Sequence, residues 1–79
     1  MYDDYTSHEI SLAREFANVL DDQESMIYHL QNARRYNESF LRKQLEKVLT
    51  IPQHKIKKSR AALYTYLITK HERNSGTGH

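Results

Sequence analysis

The stretch Thr6-Ser7-His8-Glu9-Ile10-Ser11-Leu12-Ala13-Arg14-Glu15-Phe16-Ala17-Asn18-Val19-Leu20 decides the fold. Ile10, Ala13, Ala17 and Leu20 recur at three- and four-residue spacing, which puts them on one stripe of an α-helix, and Leu12, Phe16 and Val19 widen that stripe. Thr6 has Glu9 three residues behind it, the spacing of a capping box, so a helix is expected over about residues 7–20. No glycine or proline occurs before Pro52, and both glycines, Gly76 and Gly78, are near the C-terminal end. A chain so poor in turn residues reads as helices joined by short connections.

Outward from this helix, Asp21-Asp22 marks a break. Acidic residues at a helix start suit its dipole, so the pair is expected to cap a second helix over about 23–35. Met26, Leu30 and Ala33 would line its inner side, with Ile27 at the flank and Tyr28, Gln31 and Arg35 opposite. Asn37 can start a third helix over about 38–50. Its inner positions are Leu41, Gln44, Leu45 and Val48, and its outer positions are Ser39, Arg42, Lys43, Glu46 and Lys47. Ile51-Pro52 interrupts the pattern, because a residue before proline is pushed away from helical angles. Two continuations are open. Pro52 can open the last helix, or residues 51–58 form a loop and Ser59 caps a helix running to about Glu72. Either way Ile56, Leu63, Tyr66 and Leu67 share a face. Asn74 to His79 reads as a disordered polar tail, which leaves one helical domain over 1–73. The expected fold is all-α, a small four-helix bundle.

Composition limits what such a chain can do. Its 79 residues are 38% hydrophobic and 28% charged, the balance of a thin amphipathic bundle whose net stability is roughly 3–5 kcal/mol. There is no cysteine, so disulfides and thiolate metal sites are excluded. No apolar run approaches the roughly 20 residues that span a bilayer. The start Met1-Tyr2-Asp3-Asp4 does not read as a secretory signal, and a cytoplasmic location is expected. No two of His8, His29, His54, His71 and His79 have the three- or four-residue spacing of a helical metal pair, so they read as separate surface histidines. Ser7-His8 and Asp21-Asp22 are neighbours in sequence only, and no glycine cluster precedes a helix to cradle a phosphate. An enzyme, a metal and a cofactor are therefore not expected.

The charge pattern carries more information. Residues 1–33 hold seven acids and one base, while residues 34–79 hold eleven bases and three acids. This asymmetry has two readings: a polyanionic partner for the basic half, or pairing of the two halves inside one fold. Lys43 and Lys47 lie four residues apart on the outer face of the third helix, flanked by Arg42. The densest basic cluster is Lys55, Lys57, Lys58 and Arg60. If residues 53–70 are one helix, Ile56, Leu63 and Leu67 point inward, and Lys57, Lys58, Ala61 and Thr65 point outward with Tyr64 beside them. Tyr66 reads as a packing residue. Lysine and arginine would neutralise phosphates, and Thr65 and Tyr64 would add contacts to phosphate or base edges.

The order of elements over residues 41–68, with the short break Thr50-Ile51-Pro52-Gln53, resembles a helix-turn-helix, although the usual turn glycine is missing. That resemblance implies a second helix set in the major groove. The expected function is a non-enzymatic nucleic-acid-binding protein, DNA first, acting through Arg42, Lys43, Lys47, Lys55, Lys57, Lys58, Arg60, Tyr64 and Thr65. The alternative is a protein-interaction module or self-associating adaptor, in which the acidic half of one chain meets the basic half of another and Phe40, Tyr36 and Tyr28 anchor the interface.

Overall fold

A computed structural model describes residues 4–77, with side chains to residue 72. The described chain is all-α: α1 is Ser7–Val19, α2 Met26–Arg35, α3 Glu38–Thr50 and α4 Arg60–Thr77, with no strand among the described residues. Short 3-10 turns, Gln23–Ser25 and Gln53–Lys55, precede α2 and α4. Chain contacts divide the protein into two compact units, Met1–Lys43 and Gln44–His79, so the boundary falls within α3.

In the first unit, α1 and α2 pack directly on each other. The capping box forms as expected: the Thr6 hydroxyl accepts from the Glu9 N–H at 3.1 Å, and the Glu9 carboxylate accepts from the Thr6 N–H at 2.9 Å. Leu12, Ala13, Phe16, Ala17 and Leu20 are buried, whereas Val19 is exposed. The stripe is thus centred one step from the expected one, between Ala13 and Phe16.

The end of α1 has a specific cause. Asp21 takes a left-handed conformation at φ 53°, which aspartate tolerates better than most non-glycine residues. The N–H of Asp22 then bonds to the carbonyl of Ala17 at 2.7 Å, and that of Asp21 to Asn18 at 3.2 Å. This pair of backward bonds is a Schellman closure, which satisfies carbonyls left over at a helix C-terminus.

The expected capping role of Asp22 is corrected by this geometry. Its side chain makes no cap bond to the following turn. It accepts instead from Nε2 of His29 at 3.0 Å. His29 is only 2% exposed, so the reading of this histidine as a surface residue is also corrected. Together with Leu30 and Asn32 it forms the buried side of α2. The expected inner residues Met26 and Ala33 are only half-buried, and Ile27 is exposed. A polar residue can occupy an inner position when a partner satisfies it, and Asp22 is that partner for His29.

Burial holds His29 below its ordinary pKa, against the opposing pull of Asp22. The folded state therefore takes up a proton less readily than the unfolded chain. By linkage, this contribution to stability is full above the unfolded value of about 6.5 and is lost as pH falls below it. Arg34 holds Glu9 below the usual carboxylate range, and Arg42 does the same for Glu15 and Glu38. Those contributions are present above pH about 4.5 and are lost below it. Acid destabilisation should begin near pH 6.5, well before the carboxylates protonate. Thermal unfolding is expected to show a lower Tm at pH 5.5 than at pH 7.5, with the difference reduced in His29→Gln. An equal wild-type Tm at the two pH values would contradict the buried neutral histidine.

α3 spans the expected residues. Leu41, Gln44, Leu45 and Val48 are buried, and Ser39, Arg42, Lys43, Glu46 and Lys47 are exposed. In the second unit, α4 buries Tyr64 and Ile68. Leu63 and Leu67, expected to point inward, are half-buried. α4 continues to Thr77, past residue 74, where a tail is expected; residues 78–79 lie outside the described ones. Among the described residues, no helix is long and apolar enough to cross a membrane.

Candidate nucleic-acid interface

The connection between α3 and α4 runs through residues 51–59. Pro52 takes extended angles (φ −58°, ψ 142°), the chain then makes the 3-10 turn Gln53–Lys55, and Ile56 is extended again (φ −91°, ψ 117°). Ser59 starts α4: its hydroxyl accepts from the Ala62 N–H at 3.0 Å, and its carbonyl accepts from the Leu63 N–H at 3.1 Å. The single helix over 53–70 is thereby corrected, and the loop with a Ser59 cap is the arrangement found. A helix-turn-helix uses a turn of about three or four residues; here nine residues intervene, and Lys55, Lys57 and Lys58 stand on the connection.

That connection and the first turns of α4 enclose a groove of about 480 Å³. Ile56, Ala62, Leu63 and Tyr66 give it apolar walls, and Lys55, Lys57, Lys58 and Ser59 complete the lining. Serine at position 59 explains the grouping, because residues 59, 62, 63 and 66 fall on one face of a helix starting there. Tyr66 is 57% exposed, while Tyr64, two residues earlier and about 200° around the helix, is 1% exposed.

The expected binding residues therefore separate. Lys55, Lys57 and Lys58 are exposed and come together around the groove, and none forms an ion pair among the described residues. Lys47 is exposed on α3 in the same unit, and Lys43 is exposed in the first unit. Thr65 is half-buried. Three residues depart from expectation. Tyr64 is a core residue, buried on the same side of α4 as Ile68 four residues on, and Tyr66 is exposed, so the roles read for Tyr64 and Tyr66 are exchanged. Arg60 directs Nη1 to the Val48 carbonyl at 2.6 Å and so ties the start of α4 to the end of α3.

Arg42 is held by two carboxylates. It donates to both oxygens of Glu15 at 2.8 and 2.9 Å and to Glu38 at 2.7 Å, and these bonds push its pKa upward. Its guanidinium also lies 5.7 Å from the Phe16 ring centre. In the same unit Arg34 pairs with Glu9 at 2.9 Å and stacks 4.4 Å from the Tyr5 ring centre. The planar fork of arginine suits such bidentate and stacked positions, whereas lysine is a mobile point charge.

The division of charge follows the units. Met1–Lys43 holds eight acids and five bases, and Gln44–His79 holds seven bases and two acids. In the first unit Glu9, Glu15, Asp22 and Glu38 all have basic or histidine partners. The groove has no acid in its lining, and α4 has no acid in its first turn. Lys57, Lys58 and Arg60 thus stand at the positive end of a helix dipole, where cations are unfavourable and an anion is favoured. No protein-family model matches the chain, and comparison with curated proteins and with solved structures finds no match.

Proposed function

We propose that this chain is a nucleic-acid-binding protein, with DNA as its first candidate partner, and that it acts by binding rather than catalysis. The observation that carries the reading is the grouping of three exposed lysines, with no ion pair among the described residues, around one groove with no acid in its lining. Like charges held together repel, and the N-terminus of α4 adds to the same positive potential. A polyphosphate backbone relieves both effects and releases its counterions on binding. Lys47 would extend the contact. A cytoplasmic location accords with the cysteine-free composition.

The alternative pairs the acidic half of one chain with the basic half of another. It has less support, because Glu9, Glu15 and Glu38 already have partners within their own unit. The test is equilibrium binding of a labelled oligonucleotide, followed by fluorescence anisotropy over a salt series. Three or four lysine–phosphate contacts predict a log–log slope of about −3 on duplex DNA and a less negative one, at about 0.7 per contact, on single strands. Absence of binding to either at about 50 mM salt would exclude the reading.

A further inference from the structure

We infer that the groove at the start of α4 takes single-stranded nucleic acid, with one unpaired base against the Tyr66 ring and the adjoining phosphates on Lys55, Lys57 and Lys58. This rests on the nucleic-acid reading above and narrows it. Three features of the groove point to a single strand.

The first is its chemistry. Phosphates alone would need only the lysines, yet Ile56, Ala62, Leu63 and Tyr66 make an apolar wall directly beside them. In a duplex the faces of the bases are covered by their neighbours. In a single strand each base offers a flat apolar face next to a charged backbone. Proteins that bind such strands combine aromatic platforms with a positive groove in this way.

The second is the tyrosine. Tyr66 is large, more than half exposed, and placed on the side of α4 away from the buried Tyr64 and Ile68. Its ring packs on no other ring among the described residues. Tyr5 and Tyr36, in contrast, each lie beside an arginine within the first unit.

The third is the position of the lysines. They stand on the connection, before α4 begins, and so do not form a basic helical face that could enter a major groove. They line the same groove as Ile56, Ala62, Leu63 and Tyr66, so a base docked on the apolar residues would keep its flanking phosphates near the lysines.

The experiment compares a fluorescein-labelled oligothymidylate with a labelled duplex of equal length, using the full chain. Wild type should bind the single strand about tenfold or more tightly than the duplex. Tyr66→Ala should weaken single-strand binding by about tenfold, with little change in salt slope or duplex binding, and Tyr66→Phe should retain it. Circular dichroism of Tyr66→Ala should match wild type, because the side chain is largely exposed.

Equal binding of strand and duplex, or a single-strand affinity unmoved in Tyr66→Ala, would overturn the inference; if Lys57→Glu/Lys58→Glu still weakened both ligands, the nucleic-acid reading would survive. Binding to neither ligand would remove both. Displacement of the strand by polyglutamate at equal charge concentration would also overturn the inference, assigning the groove to an acidic protein segment.

Discussion

Replacing Lys57 and Lys58 together by glutamate is expected to reduce nucleic-acid affinity by about a hundredfold at 0.1 M salt. Each phosphate contact contributes about 0.9 to the salt slope on duplex DNA, so losing one at that concentration costs nearly tenfold. Two contacts multiply, and the reversed charges add repulsion. The slope should become less negative by about two. The same substitutions should not harm the fold. Both side chains are exposed, and neither forms an ion pair among the described residues. Acidic residues just before the start of α4 even suit its dipole, by about 0.3–1 kcal/mol each. The expected signature is therefore lost binding with an unchanged or slightly raised Tm. A fall in Tm would mean that the lysines serve the fold, and unchanged binding would place the contact surface elsewhere.

The second large effect separates two tyrosines that stand two residues apart. Tyr64→Ala removes a fully buried ring from α4, and such a loss typically costs about 3–5 kcal/mol. The net stability of so small a chain is of the same size. Tyr64→Ala is thus expected to leave a substantial unfolded fraction at 25 °C, seen as reduced helical circular dichroism and a broad, early urea transition. Tyr64→Phe keeps the ring and should cost much less. Tyr66→Ala, at an exposed position, should change stability by less than about 1 kcal/mol. Equal effects at the two positions would contradict the phase of α4 described here.

The same pair shows what the amino-acid order reveals and what it conceals. α3 is legible because every inner position, Leu41, Gln44, Leu45 and Val48, follows a 3.6-residue period, and Gln44 does not disturb it. The start of α1 is legible because a capping box closes within four residues. α2 is harder, since polar His29 and Asn32 are among its buried residues, and the partner that makes His29 tolerable, Asp22, lies seven residues away across a turn. α4 depends on where it starts. A helix opened at Pro52 and one capped by Ser59 place the lysines differently, on a helix in one case and on a connection in the other. Both starts satisfy local rules, and local rules alone do not choose between them.

The site follows the same logic. Its charge was visible in the density of lysine between residues 55 and 58. Its apolar wall was not, because Ile56 meets Ala62, Leu63 and Tyr66 only through the turn at Gln53–Lys55. By local spacing Arg42 is as available as Lys43 and Lys47, its neighbours on the outer face of α3. Glu38, four residues earlier, could be read as a partner, but Glu15, 27 residues away, could not.

The central claim is that the lysines grouped around the groove of the second unit bind nucleic acid. Amide chemical-shift mapping during titration with an oligothymidylate tests it most directly. The account predicts progressive shifts at residues 55–66 and few in residues 7–35. Shifts concentrated on α1 or α2, or none at saturating oligonucleotide, would contradict it.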